Sequence, residues 1–259
     1  MLNTNIPDIR RSTFLIRHEL TQFDKQLFFL SLLVDSFWHL DFPTGKLSFG
    51  SKYRWQTQLL GTESEVSGTW LWAWANTASN IPAHLLTASL ALKAYGEQHN
   101  IPELTTPQPP LDQIDPHALA LLTSGICEAS AYFRCPYNGG ALYVLITDDN
   151  FPKCPDPPLQ RIATVFPQAI AALDLPDHEQ ALCGYLDHYG LSHEHADGRI
   201  VVPGAGGEPV LSAAFDAHKR LTRLDVTLTA LAPPHVSDVL APPPEPSWDD
   251  EQLRRIVGG

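Results

Sequence analysis

Residues 69–76 of the 259-residue chain read Thr-Trp-Leu-Trp-Ala-Trp-Ala-Asn, and this stretch is the strongest indication of its fold. Alternate residues of a β-strand point to the same side, so the three tryptophans place large rings on one face of a single predicted strand, Trp70 to Trp74. Leu71, Ala73 and Ala75 on the other face are also apolar. Both faces of this strand are therefore predicted to be buried.

The residues before this strand predict an antiparallel neighbour. Tyr53, Trp55, Thr57 and Leu59 alternate with polar residues, which is typical of a half-buried strand. The segment 61–68, rich in small and polar residues, is predicted to be a hairpin connection. Further upstream we predict strands at 37–42 and 46–49 and a helix over 8–34, whose apolar residues recur at helical spacing. These helix residues are Ile16, Leu20, Phe23, Leu27, Leu30 and Val34.

The rest of the chain predicts further helices and a closing β-meander. A helix is predicted to follow Pro82 and to stop near Gly96, and another to follow the cap Asp115 and to continue as far as Phe133. The downstream prediction comprises a strand at 141–146, short helices starting at Pro158 and Pro167, a helix capped by Asp177, and strands at 199–202, 210–215 and 224–228. The order favours an α+β fold, a largely antiparallel sheet packed by several helices, with a C-terminal β-meander.

Proline content indicates the domain boundaries. Residues 1–231 are predicted to form a single α+β domain, and residues 232–259 a proline-rich linker followed by a short C-terminal helix. A subdivision near 150–158, where four prolines cluster, is the alternative.

Composition excludes several classes of protein. The formal net charge of −12 argues against binding to nucleic-acid phosphates, which requires clustered Lys and Arg. No apolar run is long enough to span a bilayer, and residues 1–11 lack the pattern of a secretory signal, so a cytoplasmic protein is expected. The four cysteines form no C-x-x-C pair and are expected to be free thiols. No cofactor is predicted.

One sequence motif carries a resemblance to a known family. Residues 60–64 read Leu-Gly-Thr-Glu-Ser and residues 68–76 read Gly-Thr-Trp-Leu-Trp-Ala-Trp-Ala-Asn. This run resembles the signature of an uncharacterised bacterial domain family with a W-x-W-x-W-A-N motif, over roughly Trp55 to Leu104. The family has no assigned activity, so the resemblance implies no catalytic residue.

The aromatic strand offers one candidate ligand site, since ligand pockets are mostly apolar and carry a few polar groups. Packing into a core is the alternative, and it is the more common fate of indole rings on a central strand. The candidate residues are Trp55, Thr62, Glu63, Ser64, Trp70, Trp72, Trp74 and Asn76.

A second candidate site is a metal centre. His193 and His195 at i and i+2 of a strand share a face, and Asp187 supplies a carboxylate upstream. The spacing matches no established zinc motif, and a solvated turn leading into a hairpin is the simpler interpretation.

These observations favour a non-catalytic cytoplasmic protein that binds a protein partner or a small apolar ligand through the curved sheet and its acidic loops. An acidic loop suits a basic partner, and an immunity-type role is compatible with the acidic composition. The alternatives are a metal-dependent hydrolase that uses His193, His195 and Asp187, and a regulatory module whose tail, residues 232–259, docks on a partner.

Overall fold

The computed structural model describes residues 13–33 and 37–228, with side chains described from residue 19 onward. This part of the chain divides into two compact units. Unit 1 contains residues 26–152, and unit 2 contains residues 13–25 and 153–228. The division between Pro152 and Lys153 falls within the proline-rich segment 150–158. The predicted linker and C-terminal helix at 232–259 lie outside the described residues.

Six α-helices are present in the described ranges, and two of them begin at side-chain caps. The Asp115 carboxylate accepts hydrogen bonds from the backbone N–H groups of His117 and Ala118, and Asp177 accepts one from Gln180. Both predicted helix starts are confirmed. The helices are α1 (Thr13–Leu32), α2 (Thr87–His99), α3 (Pro102–Thr105), α4 (Pro116–Ile126), α5 (Pro158–Ala172) and α6 (His178–His188).

Unit 1 contains a six-stranded antiparallel sheet. Its strands are β1 (Trp38–Asp41), β2 (Lys46–Phe49), β3 (Tyr53–Ser64), β4 (Thr69–Trp72), β5 (Ala131–Tyr137) and β6 (Gly140–Ile146). The order is β1-β2-β3-β6-β5. The long strand β3 pairs with β2 along its first part and with β4 along its last part, on the edge opposite β6.

Unit 2 contains a four-stranded antiparallel meander in the order β10-β9-β8-β7. These strands are β7 (Glu194–Ala196), β8 (Arg199–Pro203), β9 (Pro209–Phe215) and β10 (Leu221–Val226). The predicted fold class, α+β with a largely antiparallel sheet and a C-terminal meander, is thus confirmed. Among the described residues, no helix combines the length and apolar character that crossing a membrane requires.

The helix predicted to continue as far as Phe133 is shorter, because a strand occupies its second half. Helix α4 ends at Ile126, and β5 begins at Ala131. Within β5, buried and half-buried residues alternate strictly, with Phe133 and Cys135 among the buried ones. This period of two is the strand signal, and it overrides the helical spacing that relates Ile126 to Phe133.

The tryptophan strand is also shorter than predicted. Strand β4 ends at Trp72, and residues 73–75 form a turn of 3₁₀ helix that contains Trp74. Residues 61–64, predicted to belong to a hairpin loop, instead continue β3 and pair with both β4 and β6. Backbone pairing on both edges therefore keeps this segment extended although its side chains are small or polar.

Two helix predictions also need correction. In α1, Phe29 is fully buried whereas Leu30, assigned to the core-facing stripe, is 43% exposed. Phe29 packs edge-on against Phe49 and Phe133 on one face of the unit 1 sheet. The two short helices predicted to start at Pro158 and Pro167 form the single helix α5, which contains Pro167.

A β-bulge in β3 determines which way the residues near the tryptophans point. Leu59 lies opposite Val144, but Gly61 lies opposite Tyr143, so one extra residue is accommodated between them. Because neighbouring strand residues point to opposite faces, the extra residue reverses the alternation. Trp55, Thr57 and Leu59 share a face with Val144, whereas Glu63 shares the opposite face with Tyr143.

Candidate functional site

The two strand tryptophans form part of a core. Trp70 and Trp72 have no exposed surface. Their rings meet edge-on at 5.5 Å between centroids, and Trp70 meets Tyr143 of β6 at 5.2 Å. The indole N–H of Trp72 donates to the backbone carbonyl of Glu103 at 3.0 Å. These contacts indicate that Trp70 and Trp72 fill a core on this face of the sheet rather than line a ligand pocket.

Gly61 allows Trp70 to approach the sheet closely. A Cβ atom at Gly61 would lie 2.5 Å from the Trp70 ring and 2.7 Å from the carbonyl oxygen of Leu71. Both distances are too short for any larger residue without a shift of the backbone. The glycine of the Leu-Gly-Thr-Glu-Ser run is therefore a packing requirement of the tryptophan that follows.

Glu63 lies in a buried polar cluster on the same face. Its Oε1 accepts from Nε of Arg134 at 2.8 Å and also from Nη2 of that residue, and its Oε2 accepts from the hydroxyl of Tyr143 at 3.0 Å. Burial, together with the negative charge of Glu63, raises the pKa of the Tyr143 hydroxyl far above its ordinary value. Tyr143 therefore stays a proton donor at physiological pH, and the carboxylate has donors on both oxygens.

His117, on the first turn of α4, lies at the margin of this cluster. Its ring packs edge-on against Tyr143 at 5.5 Å, and Nδ1 lies 3.1 Å from the hydroxyl oxygen of Tyr132. Desolvation lowers the pKa of His117 in spite of the nearby carboxylates of Asp115 and Glu63. The imidazole is therefore predominantly neutral at pH 7.

The other candidate ligand residues lie in different environments. Trp55 is buried on the opposite face of the sheet, in contact with Phe49 and Phe151. The half-buried ring of Trp74 lies under Nζ of Lys93, 4.9 Å from the ring centroid. Thr62 and Ser64 are half-buried, and Asn76 accepts a turn hydrogen bond from the N–H of Ser79 at 3.2 Å. The structure thus distributes the eight residues over several environments.

The candidate metal ligands are placed with different partners. His193 Nδ1 lies 3.8 Å from the Asp187 carboxylate, whereas His195 Nδ1 lies 3.5 Å from the carboxylate of Glu179. Glu179 also pairs with Lys219. Over residues 13–33 and 37–228, no group of three or more His, Cys, Asp or Glu side chains has a metal-binding arrangement.

Unit 1 contains a cavity of about 500 Å³ that opens to the surface beside α2. We call it the α2 cavity. Helix α2, the end of α4, Gln58 of β3 and Thr147, which follows β6, form its walls. The lining residues are Gln58, Thr87, Ala88, Ala91, Leu92, Tyr95, Ile126, Cys127 and Thr147. This volume lies in the range of small-molecule sites.

Hydrogen bonds from Gln58 hold one wall of the α2 cavity in place. Its amide nitrogen donates to the carbonyl of His84 at 2.9 Å, and its amide oxygen accepts from the N–H of Ala88 at 3.3 Å. The side chain therefore joins β3 to the first turn of α2. Small residues at Ala88 and Ala91 then leave space above the sheet.

The thiol of Cys127 is an inert part of this wall. Its nearest acceptor is the carbonyl of Ala88, 4.0 Å from the sulfur. Burial raises the pKa of the thiol to about 12. Because only the thiolate is a strong nucleophile, Cys127 is unsuited to covalent catalysis at neutral pH.

We predict that iodoacetamide alkylates Cys127 of the folded protein at least about 100-fold more slowly at pH 8 than an ordinary thiol, which has a pKa of about 8.5. The folded-state rate should keep rising with pH beyond 9, because the thiolate population is still growing there. Mass spectrometry of the Cys127 peptide gives the rate, and the same peptide in guanidinium chloride is the control. A folded-state rate that levels off near pH 9 would contradict the raised pKa.

The α2 cavity was not predicted from the sequence, although one signal was present. Leu85, Ala88, Leu92 and Tyr95 form the predicted apolar stripe of the helix that follows Pro82. Leu85 is buried, Leu92 is fully buried, and Tyr95 is only half-buried. Small residues on an otherwise bulky stripe indicate a gap, but its depth depends on Cys127 and Thr147, which are distant in sequence.

Comparison with known proteins places the chain in a family. The model of a family of unknown function, DUF6882, matches residues 13–149, and this span includes every residue that lines the α2 cavity. No curated protein and no solved structure matches at a significant level. The predicted resemblance to an uncharacterised family is confirmed. Since the match covers more than half of the sequence, the protein belongs to the family of unknown function DUF6882.

Proposed function

We propose that the protein is a non-catalytic binding protein for a small apolar ligand, and that the α2 cavity is its binding site. The main support for this proposal is the α2 cavity itself, because its volume of about 500 Å³ and its mostly apolar walls are typical of small-molecule sites. The ligand would cover the side chains of Ala91 and Ile126, and burial of apolar surface would supply most of the affinity.

The chemistry of the walls supports binding rather than catalysis. Among the residues that the structure describes, Cys127 is the only one that supplies a thiol to the cavity wall, and its raised pKa keeps it protonated. The buried carboxylate of Glu63 is on the same sheet, but it is neutralised by Arg134 and does not line the cavity. An inert lining is suited to holding a molecule without changing it.

Binding of a basic protein partner, the other part of the sequence-based hypothesis, has less structural support. The predicted acidic loop is reduced to Glu65, which is exposed, because Glu63 is buried and paired with Arg134. The partner hypothesis therefore stays a prediction, and the small-ligand proposal is the one that the geometry favours.

The experiment is a fluorescence titration with N-phenyl-1-naphthylamine, a neutral apolar dye. We expect saturable one-to-one binding with a Kd on the order of 10 μM. Replacing the exposed Ala91 by tryptophan places a large ring over the cavity and should weaken binding by about tenfold or more.

The matched control is Ala94→Trp, the same change at another exposed alanine of α2 that does not line the cavity. This variant should bind the dye as the wild type does, with an unchanged circular dichroism spectrum. Equal loss of binding in both variants, or no saturable binding by the wild type, would refute the proposal.

A further inference from the structure

The lining of the α2 cavity also defines the charge of its ligand, an inference that rests on the proposed function. No Asp, Glu, Lys, Arg or His is among the nine residues that line it. The nearest basic residue on the same stretch of α2, Lys93, is directed to the ring of Trp74. A charged ligand group would therefore lose its hydration without gaining a counter-ion.

Three hydroxyl groups are the available polar contacts, those of Thr87, Tyr95 and Thr147. Within the described part of the chain, none of these three hydroxyls makes a hydrogen bond to another residue. The amide of Gln58 already uses both ends in contacts with His84 and Ala88. A hydroxyl can both donate and accept, so these residues can satisfy one uncharged polar group of a ligand.

We propose that the α2 cavity takes an uncharged amphiphile, that is, an apolar body carrying one hydroxyl, carbonyl or amide group that hydrogen-bonds to Thr87, Tyr95 or Thr147. The apolar body lies against Ala91 and Ile126. Carboxylates and amines of the same length are rejected because the site offers their charged groups no partner.

Competition with three matched probes tests this assignment. 1-Decanol, decanoate and decylammonium share one apolar chain and differ in the charge of the end group. Each is titrated, below the concentration at which it aggregates, against the wild-type protein loaded with N-phenyl-1-naphthylamine. We expect decanol to displace the dye at least about thirtyfold more effectively than either charged probe.

The three hydroxyls are tested separately by Thr147→Val, Thr87→Val and Tyr95→Phe, changes that nearly keep the size of the side chain. Binding of decanol should weaken by about fivefold in at least one variant, since one hydrogen bond is lost. Binding of the dye should stay unchanged in all three, which shows that the cavity is intact.

The outcomes separate the two proposals. If the dye binds and decanoate or decylammonium competes as well as decanol, the uncharged-ligand assignment is overturned while the binding function stands. Dye binding that none of the three probes displaces also overturns the assignment. Absence of dye binding to the wild type refutes the proposed function itself.

Discussion

Replacing Trp72 by alanine should lower the free energy of unfolding by about 3–5 kcal/mol. The side chain has no exposed surface and packs against Trp70. The substitution also removes the hydrogen bond that the indole N–H donates to the Glu103 carbonyl. The substitution removes an aromatic ring and leaves a space that the paired strands β3 and β4 cannot close. Tryptophan fluorescence during denaturation measures the loss, since the five tryptophans of the described residues all lie in unit 1.

Trp74→Ala is the matched control for this prediction. Trp74 belongs to the same motif, but it lies in the 3₁₀ turn, and its half-buried ring is covered by Lys93. Its removal should cost less than about 2 kcal/mol. A wild-type denaturation midpoint for Trp72→Ala, or equal losses in both variants, would contradict the assignment of Trp72 to the core.

Replacing Asp24 by alanine should destabilise unit 2 by about 3–5 kcal/mol, because the substitution leaves the buried guanidinium of Arg161 with only the more exposed carboxylate of Asp156, 3.5 Å away. The side chains of Asp24 and Arg161 are 7% and 13% exposed. Oδ1 of Asp24 accepts from Arg161, and Oδ2 accepts from the hydroxyl of Tyr185 at 2.7 Å and from that of Tyr189. One carboxylate thus links α1 to α5 and to the end of α6.

Hydrogen–deuterium exchange measures this effect within unit 2. The slowest amides of α5 and α6 should exchange about 100-fold faster or more in Asp24→Ala, if their exchange requires unfolding of the unit. The control is Asp225→Ala, which breaks the exposed pair between Asp225 and Arg223. That variant should exchange at the wild-type rate, because exposed ion pairs contribute little. Equal rates in the two variants would contradict a structural role for Asp24.

Local sequence patterns predicted much of the fold. The cap residues Asp115 and Asp177 allowed two helix starts to be predicted, because a carboxylate before a helix satisfies free backbone N–H groups. Alternation of apolar and polar residues predicted the first part of β3 and the strand β10. Prediction failed where the two periods compete, as at Phe133, which fits both a helix that continues from Ile126 and the strand that the structure contains.

The residues of the site were harder to predict, because they depend on contacts between distant segments. The bulge between Leu59 and Gly61 directs Glu63 toward Arg134 and Tyr143, which lie more than 70 residues away. No local pattern shows that partnership, so Glu63 resembled a solvent-exposed loop acid. The α2 cavity likewise brings residues of β3 and α2 together with Cys127 and Thr147.

A crystal structure of the protein in complex with N-phenyl-1-naphthylamine tests the α2 cavity as a binding site most directly. We expect electron density for one dye molecule in the α2 cavity, in contact with Ala91 and Ile126, and with the Glu63–Arg134 pair intact. A dye molecule bound elsewhere on the protein, with the α2 cavity empty, would show that the α2 cavity is not the binding site.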